Sequence, residues 1–126
     1  MKKTFFIVLG VIILGLIAFG VYSGSKSPVA SKYTDFAKCI ADSGVEFYGA
    51  FWCPHCADQE KLFKMSRQQL ADINLYVECS TADSQGQLPI CKDKKIEGYP
   101  TWIFSDGKKV TGTQKLAKLS ELSNCQ

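Results

Sequence analysis

The sequence predicts a mixed α/β domain, a central sheet with helices packed on it, behind one N-terminal membrane helix. Three observations carry this reading. Thr4 to Tyr22 is an uncharged run of nineteen residues. The hydrophobic period then alternates between helical and strand-like stretches, and a Cys-x-x-Cys sits where a strand gives way to a helix.

The uncharged run comes directly after Lys2 and Lys3. Roughly 20 apolar residues cross a bilayer core, and this stretch has no polar face of the kind a soluble core helix keeps. Residues 1–22 therefore read as a membrane anchor. A signal sequence, with a shorter apolar core and a small-residue cleavage site, is the competing reading. Both export the remainder of the chain, and the basic start suits a cytoplasmic N-terminus. Residues 23–31 carry Ser, Gly and Pro and read as a tether.

Residues 32–126 form the domain. Lys2, Lys3 and Lys26 precede it, which leaves twelve basic against twelve acidic residues. The +3 of the whole chain is thus no argument for nucleic acid. Six cysteines behind an export signal point to an oxidising compartment.

Within the domain, Tyr33 to Ser43 puts Phe36 and Ile40 on one helical face, with Gly44 as the stop. Val45 to Phe51 is aromatic and β-branched and reads as a buried strand. Pro54 opens a helical pattern that runs through Leu62, Phe63, Met65 and Leu70 to about Asp72. Leu75 to Cys79 is a short strand, and Gln87 to Lys95 a short helix. Thr101 to Phe104 and Lys108 to Thr111 are strands joined by the hairpin signal Asp106-Gly107. Leu116, Leu119 and Leu122 line a closing helix. Two parallel strands around the second helix, plus an antiparallel hairpin, give the mixed sheet.

The chemistry concentrates at Cys53-Pro54-His55-Cys56. At a helix start, unsatisfied N–H groups and the helix dipole stabilise a thiolate on Cys53. Cys56 lies one turn later, within reach of a disulfide. Exchange needs that pair, an exposed sulfur that leaves as thiolate and a resolving sulfur behind it. His55 adds a donor beside Cys53. Structural zinc would require a second close Cys or His pair, and no second Cys-x-x-Cys and no other histidine exist. A c-type haem would require histidine at Ala57. No flavin or nicotinamide signature is present, so no metal and no cofactor are expected.

FYGAFWCPHC, with IEGYPTWIF later in the chain, resembles the thioredoxin superfamily across residues 32–126. It is most similar to the thioredoxin-like domain fused to bacterial vitamin K epoxide reductase homologues, which carries a similar YGA-x-WCPHC, a later cysteine pair and a GYPTW loop. The CPHC tetrapeptide is shared with the periplasmic oxidase DsbA. The resemblance implies a cis-proline at Pro100 facing Cys53, and a substrate strand pairing with the backbone of Tyr99 beside exposed Trp52. It also marks two departures. Thioredoxins and DsbA carry a buried carboxylate six positions before the first active-site cysteine, where this chain has Phe47. Glu46 is one place off and faces the other way by strand alternation. The first strand of a full thioredoxin is missing, because Lys32 leads straight into a helix.

The resemblance supports a disulfide between Cys79 and Cys91, whose short loop would be worth about 3 kcal/mol. Cys39 and Cys125 remain. Parity favours a third bridge between the first and last helices, and reaction of one or both with a partner is the alternative. Family likeness makes cysteine-containing proteins the expected substrates, oxidised on the extracytoplasmic side of the membrane. A quinone-linked membrane partner of the vitamin K epoxide reductase or DsbB type would reoxidise the site. Isomerase and reductase share this scaffold. A binding module using the Pro100 groove and Trp52 without turnover is the non-enzymatic alternative.

Overall fold

The computed structural model describes residues 28–126. The membrane segment expected at 1–22 lies outside the described residues. Among those described, no helix is long and apolar enough to cross a membrane.

The first helix, α1, spans Pro28–Asp42. It starts before the expected Tyr33, so residues 28–31 of the expected tether belong to it. Proline's fixed φ suits a first helical turn, which is why a Ser/Pro-bearing sequence can open a helix. The helix stops at Gly44, which adopts φ +80°, a conformation glycine reaches without a Cβ penalty.

Four strands come next, in the spatial order β2-β1-β3-β4. They are β1 (Glu46–Gly49), β2 (Tyr76–Glu78), β3 (Thr101–Ile103) and β4 (Lys109–Thr111). β1 pairs parallel with β2 and antiparallel with β3, and β3 pairs antiparallel with β4.

The strand expected at Val45 to Phe51 is shorter. It ends at Gly49, and Phe51 is 41% exposed in the turn before the cysteines. The single helix expected from Pro54 to Asp72 is two, α2 (Pro54–Phe63) and α3 (Arg67–Asp72). Lys64 closes α2 in the left-handed conformation at φ 52°. Ser66 then opens α3 with a capping box, its hydroxyl taking the Gln69 N–H while the Gln69 side chain takes its own. That break turns Leu62 outward and keeps Phe63, Met65 and Leu70 in the core. A short α4 (Pro89–Asp93) and a closing α5 (Leu116–Ser123) complete the domain.

The two sheet faces are covered unequally. On one, α1, α2, α3 and α5 bury Ile40, Phe63, Leu70 and Leu119 against Phe47, Tyr76 and Trp102. Phe47 stacks on Trp102 at 4.8 Å between centroids and meets Tyr76 edge-on at 5.1 Å. Each such ring is worth about 1.5–3 kcal/mol when fully buried. On the other face, Tyr48 and Ile103 pack on Cys79, Cys91 and Ile96 around α4.

Two disulfides staple these layers. Cys39–Cys125 joins α1 to the segment after α5, and Cys79–Cys91 ties the end of β2 to α4. By chain entropy the first, closing 86 residues, is worth about 4.6 kcal/mol and the second, closing 12, about 3 kcal/mol.

Candidate dithiol site

β1 and α2 set the cysteines. The chain leaves the central strand at Gly49, turns through Phe51 and Trp52, and enters α2 at Pro54. Cys53 is the N-cap of α2, and its sulfur accepts the Cys56 backbone N–H at 3.4 Å. The helix start is thus capped by the sulfur itself, so its orphan donor and dipole act on that atom.

Cys53 and Cys56 are the two unbridged cysteines of the domain, and both are buried. Cys53, expected to present an exposed sulfur, is as a residue only 5% exposed. Its cover is the loop before β3. The Cys53 thiol faces the Tyr99 carbonyl at 3.6 Å, and the Tyr99–Pro100 peptide is cis.

Trp52 and Tyr99 form the rim. Trp52 is 51% exposed, meets Tyr99 edge-on at 5.9 Å, and donates its indole N–H to the Ser80 hydroxyl at 2.8 Å. Gln87 donates to both the Tyr99 hydroxyl and the Ile96 carbonyl, 2.8 Å each, which fixes the loop from the far side. Pro54 and His55 are exposed on the first turn of α2. The Thr113 hydroxyl donates to the His55 carbonyl at 3.0 Å, holding that turn from the segment before α5.

Electrostatics separate the two sulfurs. Burial pushes the Cys56 thiol up to about 12; the Ala50 backbone and Arg67 pull it down, and Cys53 beside it pushes it further up. Cys56 therefore remains a protonated thiol at neutral pH until a base removes its proton. No carboxylate occupies the Phe47 position, and Glu46 is engaged on the opposite face, where it accepts the Tyr48 hydroxyl at 2.8 Å.

Several site residues escaped the sequence. Buried Gln59 exchanges two hydrogen bonds with the Gln114 backbone, at 3.0 and 2.7 Å, and locks α2 to the segment before α5. Glu78 gathers the N–H groups of Phe51, Cys79 and Ser80, at 3.2, 3.1 and 2.9 Å, on one carboxylate oxygen. That oxygen ties the turn before Cys53 to the end of β2. The period-2 pattern of β2 puts Tyr76 and Glu78 on one face, but nothing local in the sequence says which residues face them.

A mixed sheet whose central strand delivers a paired-cysteine helix start, faced by an X-Pro loop, defines a dithiol protein. This chain belongs to the thioredoxin family, which matches it over residues 28–125. Among its relatives is the thiol-disulfide oxidoreductase LTO1 of Arabidopsis thaliana, 40% identical over 104 residues. The match covers 80% of this chain but only 26% of that relative's length.

Proposed function

We propose that this chain is a membrane-anchored, extracytoplasmic thiol–disulfide oxidoreductase that oxidises substrate thiols. The observation that carries the reading is the Cys53 sulfur, placed as the cap of α2 and facing the Tyr99 carbonyl. The family and the name of the Arabidopsis relative support the reaction class.

The exchange has two displacements. A substrate thiolate attacks the Cys53 sulfur of the Cys53–Cys56 disulfide, and Cys56 leaves as a thiolate that takes up a proton. A second substrate thiolate then attacks the substrate sulfur of the mixed disulfide and releases Cys53. Two electrons pass from substrate to the site, and the substrate gains a disulfide. A quinone-linked membrane oxidoreductase of the vitamin K epoxide reductase or DsbB type returns the site to the disulfide. An anchor at residues 1–22 would raise the effective concentration of the domain near it.

The oxidising direction rests on the CPHC sequence and the capped sulfur, both of which favour the reduced form. A glutathione redox titration of the full chain in detergent tests it. A midpoint nearer the DsbA value of about −120 mV than the thioredoxin value of about −270 mV supports an oxidase. A thioredoxin-like midpoint leaves a reductase.

A further inference from the structure

Resting on that reading, we propose that Tyr76 and Glu78 carry the Cys56 proton between the buried sulfur and solvent. They would take the place of the carboxylate that Phe47 displaces.

Register brings the three groups together. β1 and β2 run parallel with Phe47 beside Tyr76 and Gly49 beside Glu78, so all four share the sheet face that packs on α2. Gly49 leaves the space in which they meet. A Cβ built there would lie 3.0 Å from the Cys56 sulfur, 3.2 Å from the Tyr76 hydroxyl oxygen and 2.7 Å from the Tyr76 ring. Sulfur and hydroxyl thus border one point and lie within about 6 Å of each other, a span that one bridging water covers.

The path continues outward. Tyr76 donates its hydroxyl hydrogen to Glu78 at 2.9 Å, using the carboxylate oxygen that the backbone N–H groups leave free. Tyr76 is buried, Glu78 half-buried, and both line a surface cleft of about 450 Å³ with Arg67, Gln68 and Ala71. Burial, and then the bond to Glu78, hold the Tyr76 hydroxyl far above its ordinary range. Tyr76 is therefore a conduit and Glu78 the acceptor. When Cys56 attacks, its proton moves to the Tyr76 oxygen while the Tyr76 proton moves to Glu78. Thiol plus carboxylate become thiolate plus carboxylic acid, and Tyr76 is unchanged. The reverse transfer protonates Cys56 when it leaves a disulfide. The other charged or titratable groups facing this path are Cys53, Arg67, whose guanidinium lies 5.6 Å from the Tyr76 ring centre, and Glu60, which pairs with Arg67 at 3.0 Å.

The test uses the reduced full chain and the aromatic disulfide 5,5′-dithiobis(2-nitrobenzoate) in stopped flow. Attack by Cys53 releases a first thionitrobenzoate, and attack by Cys56 on the mixed disulfide releases a second. Tyr76→Phe keeps the ring but removes the hydroxyl. It should slow the second release about a hundredfold near neutral pH while leaving the first within about twofold. Glu78→Gln, which retains an acceptor for the three N–H groups, should also slow the second release. The deficit should shrink as pH rises, because hydroxide then takes the Cys56 proton. A second release in Tyr76→Phe as fast as wild type, or a deficit constant across pH, overturns the relay and leaves the oxidoreductase reading intact. A wild-type chain that never makes the second release overturns both.

Discussion

The Cys56 backbone N–H points at the Cys53 sulfur from 3.4 Å, so one cysteine's backbone stabilises the other's sulfur before any sulfur bond forms. The two cysteines are not interchangeable. One caps a helix start and faces the Tyr99 carbonyl, and the other is fully buried one turn later.

This asymmetry predicts which cysteine is caught with substrate. Cys56→Ala removes the resolving thiol and should accumulate mixed disulfides through Cys53, seen as high-mass bands on non-reducing gels that dithiothreitol collapses. Cys53→Ala should yield none. Adducts that persist in Cys53→Ala would reverse the roles.

His55 stands between the two cysteines with an exposed side chain, while its carbonyl is held by Thr113. Replacing it with Ser therefore removes a donor near the sulfurs without releasing the turn. The reduced form should lose stabilisation and the midpoint potential should fall, by about 30 mV for each tenfold change in the exchange constant. A glutathione titration of both proteins measures this. An unchanged midpoint would assign the potential to the helix start alone.

The fold and the cysteine pair are legible in the sequence because their signals are local. Pro54 after an aromatic strand, Asp106-Gly107 in a hairpin and GYPT before a strand each act within a few residues. Where structure and sequence part, a local signal competes with a stronger pattern. The Ser66–Gln69 capping box is submerged in an apolar period that continues across it, and Pro28 sits in a tether-like Ser/Gly context although it suits a first turn. Tyr76 and Glu78 are opaque for another reason. Their importance comes from the parallel register that sets them beside Phe47 and Gly49, and a strand's sequence does not state its neighbour's register.

Stability should separate the two redox forms by pH. In the folded reduced chain Cys56 is raised from 9.0 to about 12, chiefly by burial. Below about 9 both folded and unfolded chains hold the proton, and this preference for the thiol is fully present. Above it the unfolded chain loses the proton first, so stability falls as pH climbs toward the folded value. The oxidised chain has no Cys56 thiol to titrate. Denaturant midpoints of the reduced form should therefore fall relative to the oxidised form from about pH 9 upward, toward pH 12. Reduced Cys56→Ala should lack the extra decline, and equal slopes in all three would show that Cys56 is not held as a buried thiol.

Gly49 offers a purely steric test of the same neighbourhood. It lies in extended β1 with none of the positive φ seen at Gly44, Gly107 and Gly112, so alanine meets no backbone penalty there. Its methyl group would instead stand 2.7 Å from the Tyr76 ring and 3.0 Å from the Cys56 sulfur. Neither neighbour yields easily. The ring is held edge-on by Phe47 and by its hydrogen bond to Glu78, and the sulfur is fixed on the first turn of α2. Gly49→Ala should therefore destabilise the domain by about 1–3 kcal/mol, the usual range for overpacking. It should also slow release from the mixed disulfide, because Tyr76 and Cys56 are forced apart. Denaturant unfolding combined with single-turnover exchange checks both effects. An alanine variant as stable and as fast as wild type would mean that the space at Gly49 does not matter to either group.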